Sequence, residues 1–489
     1  MFFIHAICDF IIRLLKEFVI MTRHKLGFWI LTALVVGNMV GSGIFMLPRS
    51  LSAAASPAGV ILAWIATGLG VLTLALVFGS LAVRKPELSG GPQIYAKELF
   101  REGSQGSLIA GFMSTWGYWV GNIAGFVAVI TTFASYLSAF FPVLTSDKVW
   151  VDFGGFTLKA GNVLTFLVCS LLLWGTHAIC LKGMKGAGRL NFIATATKVI
   201  GFVLFIVIAL FAFQQSNIGP FLAPRTNDGG ETLGLLSQVN AAAVATLWAF
   251  IGVESAMVFA ARARRKQDIR RATIAGLLIS IVLYVGISML TMGLLTQEQL
   301  MASQNPLVDG ISAVTGPIGG KLLAGLGLIS LLGSTIGWVL LSAEVPFQAA
   351  KLGVFLPSFS KENGKGMPKV SLWVSNALGQ ILLLSTVSGS ISAAFDFIIY
   401  IATLAYLVPY LIASLYHLKL IWTGETYALR KERVSEGIIA GLAAIYSLWV
   451  IIAGTADLKT FLLGVALIVS GILFYPLLRR HRKTGNKTA

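Results

Sequence analysis

The sequence predicts an all-α polytopic membrane protein of twelve transmembrane helices, arranged as a five-plus-five inverted repeat in which helices 1 and 6 are discontinuous. Three observations predict it. The 489-residue chain is 56% hydrophobic and only 12% charged, its mean hydropathy is +0.83, and its apolar runs repeatedly reach the roughly 20 residues that cross a bilayer. Lysine and arginine collect in alternate connections between those runs. Two of the runs are punctured at matching places in the two halves of the chain.

In chain order, residues 1–25 mix Phe, Ile and Leu with Asp9, Arg13, Lys16 and Glu17. They read as a cytoplasmic amphipathic segment lacking the small-residue cleavage site of a secretory signal. Met21, followed at once by Thr22-Arg23-His24-Lys25, is an alternative start. Spans are expected at 27–55, 58–83, 107–142, 160–181, 189–213, 238–261, 272–295, 317–350, 370–389, 393–416, 436–454 and 460–478. Residues 26–213 form repeat 1 and residues 238–416 repeat 2; 436–478 adds two further helices, and 479–489 is a basic cytoplasmic tail. The connection 84–106 has turn chemistry followed by a helical pattern, so it reads as an ordered hairpin, and 351–369 is similar.

The charge distribution tests this map. Of 37 lysines and arginines, 30 fall on the side of the N-terminus and six on the other (Arg49, Lys148, Lys159, Arg225, Lys321 and Lys459), leaving Lys198 inside the fifth span. Both termini are therefore expected in the cytoplasm. The net charge of +17 sits in short loops, so it fixes orientation and contacts anionic lipid, the cluster Arg262 to Arg271 above all, rather than binding nucleic acid. Cys8, Cys169 and Cys180 have no metal-ligand spacing and imply no disulfide framework; the latter two read as helix packing. Gly68, Gly70 and Gly79 read as sites of close helix approach.

The punctures carry the chemistry. The first is Val36-Gly37-Asn38-Met39-Val40-Gly41-Ser42-Gly43-Ile44-Phe45; the second is Trp248-Ala249-Phe250-Ile251-Gly252-Val253-Glu254-Ser255. In hydrocarbon a helix pairs every backbone group, so breaks are tolerated only where protein or a water-filled cavity satisfies the freed ones. A half-helix starting after Gly41-Ser42-Gly43 aims free N–H groups and a positive dipole end at an anion such as a carboxylate. Unwound carbonyls around Phe250 to Gly252 suit a cation such as an amine.

Gly41-Ser42-Gly43-Ile44-Phe45 with Pro48, Ser89-Gly90-Gly91-Pro92-Gln93-Ile94-Tyr95-Ala96, Trp119-Val120-Gly121-Asn122, the second puncture and Ala343-Glu344-Val345-Pro346 together resemble the amino acid–polyamine–organocation superfamily. They most resemble its basic amino acid/polyamine antiporters and, within these, the arginine/ornithine exchangers, through Ala343 to Lys351 and Lys361-Glu362-Asn363. The resemblance covers nearly all of the chain after residue 25. It implies a secondary transporter of the cytoplasmic membrane exchanging cationic amino acids, with no cofactor, no metal and no nucleic acid; monomer and homodimer are both open. It implies that the substrate carboxylate meets the N–H groups and hydroxyl of Ser42-Gly43, with Gly41 beside them in the substrate site, and that its amine meets carbonyls near Met39, Trp248 and Ile251. Trp248 and Trp338 match a gating and a packing aromatic, with a cation–π contact to the distal charge, and Asn38 and Asn122 match polar lining positions. Ser114 departs from the pattern: some arginine/agmatine exchangers have a gating tyrosine there, and Trp116 and Tyr118 are the nearby aromatics.

Glu254 is the leading candidate for a proton site or gate, because a carboxylate within a span is expensive and usually functional; the alternative is a structural helix cap. Lys198 resembles the lysine that replaces sodium in proton-coupled and some exchanger relatives, holding the broken first helix; the alternative is a snorkelling side chain. Glu344 reads as structural, paired with a loop cation. Asp396 reads either as a vestibule charge attracting cations or as a helix N-terminal charge. The rival functions are proton-coupled uptake of basic or neutral amino acids, lysine or polyamine exchange, a channel, and an enzyme. No Walker loop, no Thr-Val-Gly-Tyr-Gly filter and no catalytic histidine pattern supports the last two or direct ATP hydrolysis.

Overall fold

The computed structural model describes residues 27–88, 91–152, 157–226, 230, 232–254, 257, 263–388 and 390–479. The amphipathic segment 1–25 with its alternative start, Cys8, Ser89, Gly90, Ser255, Arg262 and the tail 480–489 lie outside them.

The described chain is almost wholly helical. Its first span is two short helices, α1 (Phe28–Met39) and α2 (Gly43–Ala54). There follow α3 (Pro57–Arg84), α4 (Gln105–Ser138), α5 (Ala160–Leu181), α6 (Met184–Ala212) and α7 (Leu235–Phe250). Then come α8 (Lys266–Leu294), α9 (Pro306–Lys351), α10 (Lys369–Leu382), α11 (Ile391–Thr423), α12 (Arg430–Ala453) and α13 (Leu458–Val469). Among the described residues nine helices are long and apolar enough to cross a membrane. Caps set the boundaries: Ser56, Ser104 and Ser390 accept from backbone N–H groups three residues on, and Pro57 takes the first position of α3.

Several boundaries differ from expectation by a few residues, α8 and α12 starting six residues early and α11 running seven further, and two differences have a local cause. The third span stops at Ser138 instead of 142, because the chain turns into a 3-10 segment at Pro142–Thr145 and the hairpin Val149–Asp152/Thr157–Lys159. Helix α9 begins eleven residues before 317, but Gly316 (φ 78°, ψ 178°) interrupts it, so the expected span from 317 is the part beyond the kink. The described part of the connection after α3 contains a 3-10 turn at Pro92–Ile94 leading into Tyr95–Glu98.

Helices α4, α9 and α11 form the centre, α9 packing on α6 and α4, and α11 on α4. Most of α4 is buried. Glycines permit the tightest contacts: a Cβ at Gly68 or Gly79 would meet Ile281 or Arg270 of α8, and one at Gly70 would overlap Tyr446 of α12. Cys169 and Cys180 are buried and free, in keeping with a packing role.

Candidate functional site

Both punctures are broken helices. At the first, the Val40 N–H still reaches Val36 O at 2.8 Å, but the Gly41 N–H turns back to Met39 O at 2.7 Å. The carbonyl of Gly37 thereby loses its helical partner, the N–H of residue 41. Lys198 of α6 replaces it: its Nζ donates to Gly37 O at 3.3 Å and to Ser334 Oγ of α9 at 3.3 Å. Lys198 is buried, so it does not snorkel. Helix α2 starts at Gly43 with Ser42 as its N-cap, yet the Ser42 hydroxyl makes no cap bond. That Oγ is buried without a partner, in the first turn of a helix, where N–H groups lack the usual intrahelical acceptor; the Phe45 N–H reaches Ser42 O at 3.2 Å. Asn38 is exposed although Met39 to Phe45 after it are buried.

At the second break, the Ile251 N–H bonds Trp248 O at 3.2 Å and the Val253 N–H bonds Phe250 O at 3.1 Å. Gly252 has φ +106°. A Cβ there would lie 3.1 Å from the backbone carbon of Asn38 and 3.2 Å from Met39 N. The two unwound stretches therefore touch, and only glycine admits the contact. The freed Ala249 carbonyl accepts from the Tyr284 hydroxyl of α8 at 2.6 Å. The Met39 and Trp248 carbonyls, expected to receive the substrate amine, each already accept one backbone N–H and keep one lone pair.

Glu254 is buried and held by three donors. Tyr118 Oη of α4 donates to Oε1 at 2.9 Å, Tyr410 Oη of α11 donates to Oε2 at 2.7 Å, and the Gly252 N–H donates to Oε2 at 3.1 Å. Tyr406 packs edge-on to Tyr118 with ring centroids 4.9 Å apart, its own hydroxyl buried and unpartnered. Tyr410 is absent from the expected site, and Tyr118 enters it in a different role. It serves Glu254 rather than standing in for the tyrosine missing at Ser114. Trp116 points elsewhere, donating to Leu467 O at 3.0 Å and stacking on Phe474.

Trp248 and Trp338 stack over the first break, with ring centroids 6.0 Å apart and planes 29° from parallel. Glycines make their room: a Cβ at Gly43 would sit 3.2 Å from Trp248 Cδ1 and one at Gly125 would meet the Trp338 ring at 2.5 Å, while Gly41 stands in ordinary contact distance of Trp338 Nε1. Asn122 is buried, its Nδ2 bonded to Tyr118 O at 2.6 Å and its Oδ1 unpartnered; Ser114 Oγ is buried and unpartnered as well.

Two expectations outside the breaks need revision. Glu344 accepts from the Gln348 amide one turn on, on the same helix face, while Lys351, the last residue of α9, pairs with Glu362 of the following loop at 2.7 Å. Asp396 is neither a free vestibule charge nor a helix cap. Its carboxylate takes Arg49 Nη1 and Ser50 Oγ, each at 2.6 Å, and so ties α11 to α2.

At the opposite end of α11, Glu436 of α12 accepts from Ser80 Oγ at 2.5 Å, Arg84 Nε at 2.9 Å, Tyr427 Oη at 2.7 Å and His417 Nε2 at 3.0 Å. Burial, then the Glu436 carboxylate, pushes the Tyr427 phenol far above its usual range, so it stays a donor. The Glu425 carboxylate beside Lys85 raises that ammonium above the ordinary lysine range. This cluster fastens α3, α11 and α12 together.

A membrane bundle with two touching helix breaks and a buried carboxylate between its helices is the architecture of a transporter. The chain belongs to the amino acid permease family, whose model matches residues 26–476. It is 49% identical over 453 residues to the "Putative arginine/ornithine antiporter" of Bacillus subtilis (strain 168), covering 92% of this chain and 96% of that protein. It is 37% identical to the "Arginine/ornithine antiporter" of Pseudomonas aeruginosa, over 93% of this chain and 91% of that one. It is 33% identical to the "Arginine/agmatine antiporter" of Chlamydia felis, over 93% and 90%.

Proposed function

We propose that this protein is an exchanger of the cytoplasmic membrane that takes in arginine against ornithine. The observation that carries the reading is the pairing of the two breaks. Ser42 Oγ is buried without a partner at the start of α2, Gly252 of the second break lies against Asn38 and Met39 of the first, and the Trp248–Trp338 stack lies beside them. A zwitterion with a long aliphatic stem and a distal cation suits that arrangement: its carboxylate takes the helix N-terminus, its amine takes the carbonyls, and its stem lies on indole. High identity to arginine/ornithine antiporters along almost the full length supports the substrate pair.

The same reading takes twelve spans. The nine long helices are joined by the broken α1/α2 span, by α6, and by α7 with the residues after its break. Residues 26–213 and 238–416 then form inverted repeats with the site between them, and the 30-to-six distribution of basic residues sets both termini in the cytoplasm. In this cycle Glu254 and its two tyrosines form the gate beneath the substrate, and Lys198 holds α1 where a sodium-coupled relative would hold an ion. Proton-coupled uptake is the second reading, favoured by that lysine and by the buried carboxylate.

Uptake of labelled arginine into proteoliposomes separates the two. Uptake confined to vesicles preloaded with ornithine or arginine is the expected result. Uptake into empty vesicles that follows an imposed proton gradient establishes the second reading, and no arginine uptake under either condition withdraws the substrate.

A further inference from the structure

We infer that Gln238 is a positioning residue that makes α2 and α7, the external halves of the two broken helices, move as one body. The inference rests on the broken-helix transporter reading above but not on the identity of the substrate. Gln238 lies in the first turn of α7 and is buried. Its Oε1 accepts from Ser56 N at 2.8 Å and from Ser56 Oγ at 2.7 Å, in the turn that joins α2 to α3. Its Nε2 donates to Ala223 O at 2.8 Å and to Leu233 O at 3.0 Å, at the two ends of the small hairpin Arg225–Thr226/Thr232–Leu233. A glutamine amide has two acceptor sites and two donors, and all four are used.

The surroundings are built for this contact. A Cβ on Gly59 would approach Oε1 to 2.8 Å, so the first turn of α3 carries glycine where the amide enters. The Ala58 N–H bonds Phe221 O at 3.0 Å and adds a second strap between the same turn and the same loop. Gln297 also ties this end of α2, its Nε2 donating to Ser52 O at 3.0 Å, whereas α2 is tied to α11 by a contact of a different kind. Its ion pair to Asp396 of α11 is partly open to water, with 19% of the Arg49 side chain and 38% of the Asp396 side chain exposed, and water competes with such pairs. A buried amide loses its partners only at the full cost of leaving polar groups unpaired. Rocking therefore separates α2 from α11 more readily than from α7, and the two unwound stretches that hold the substrate keep their mutual geometry.

The test uses the full chain in nanodiscs with Cys8, Cys169 and Cys180 replaced by alanine. Spin labels are introduced by Ala53→Cys on α2 and Leu236→Cys on α7, both exposed positions. The parent is expected to give one narrow distance distribution that is the same with and without saturating arginine. Gln238→Leu leaves the Ser56 N–H and the Ala223 and Leu233 carbonyls without this partner, so it is expected to broaden the distribution and to lower the maximal exchange rate about tenfold, while the half-saturating arginine concentration moves less than about threefold. Gln238→Glu keeps the acceptor for Ser56 and, only with its carboxyl protonated, one donor to the hairpin, so it is expected to restore the narrow distribution at low pH and not when ionised. Should Gln238→Leu fail to fold, Ser56→Ala, which removes one of the two donors to Oε1, decides by a partial broadening. A distribution as narrow in the folded variants as in the parent overturns the inference, and so does a parent distribution that splits on adding arginine. The distance widths in the substrate-free protein judge Gln238 even where no arginine exchange is found.

Discussion

The two helix breaks solve the same problem in opposite ways. Both free backbone groups in the middle of a bundle, where each must be re-satisfied. At the second break the protein supplies the partners itself: Tyr284 covers the Ala249 carbonyl, and Glu254 takes the Gly252 N–H while two tyrosines take its oxygens. At the first break the carbonyl side is covered by Lys198, but on the side where α2 begins the Ser42 hydroxyl is buried without a partner. A closed break is a hinge and gate, whereas an open one is a receptor. The anion-binding end of a substrate belongs to the first.

The strongest way to break this contrast is at the contact that joins the breaks. Gly252→Ala places a Cβ 3.1 Å from the Asn38 backbone at a φ of +106°, a conformation that costs an ordinary residue on the order of 1–3 kcal/mol before any clash is counted. Exchange is expected to fall to background and the melting temperature in detergent to drop by several degrees. Wild-type exchange in this variant would show that the stretches do not meet during transport.

Glu254→Gln tests the closed break next. The amide keeps the size of the side chain and can still accept from one tyrosine, so folding is expected to survive, while the dependence of exchange on pH between 5 and 8 flattens. Tyr410→Phe removes one donor at 2.7 Å and leaves the carboxylate with two, so a smaller change in the same direction is expected, about threefold to tenfold in rate. An unaltered pH profile in Glu254→Gln returns this residue to a purely structural role.

How far the sequence could be read follows from the same contrast. The open break was legible because its causes are local: Gly41, Ser42 and Gly43 are consecutive, and Lys198 stands out as a charge inside an apolar run. The closed break was legible only in Glu254 and Gly252. Its partners come from helices 136 and 156 residues away, and a tyrosine inside an apolar span carries no sign of which carboxylate it will meet. The same distance hid the Asp396 contacts with Arg49 and Ser50, where each charge read alone suggested a vestibule or a cap. The hairpins at 149–159 and 225–233 were missed because strands of two to four residues leave no period to detect.

Lys198→Met sharpens the account of the first break without touching its open side. The variant keeps the aliphatic length but leaves Gly37 O and Ser334 Oγ without the ammonium. A loss of roughly 1–3 kcal/mol is expected from the unpaired groups, read as a lower midpoint of unfolding, with a rate loss larger than the change in half-saturating concentration. Sodium-dependent uptake by the wild type would contradict the role given to this lysine.

The smallest effect is expected where the break is open. Ser42→Ala removes a hydroxyl that is buried and bonded to nothing, so no partner is stranded and stability should stay within about 0.5 kcal/mol of the parent or rise slightly. If that hydroxyl meets the substrate carboxylate, its loss costs one charge-assisted hydrogen bond, about 1.5–3 kcal/mol, which raises the half-saturating arginine concentration by tenfold or more. The pairing of an untouched melting temperature with a weakened substrate is the signature of a receptor, since a structural hydroxyl gives the reverse. Unchanged affinity in a stable Ser42→Ala variant would leave only the backbone N–H groups of α2 to receive the carboxylate, and the two breaks would then differ less than their hydrogen bonds suggest.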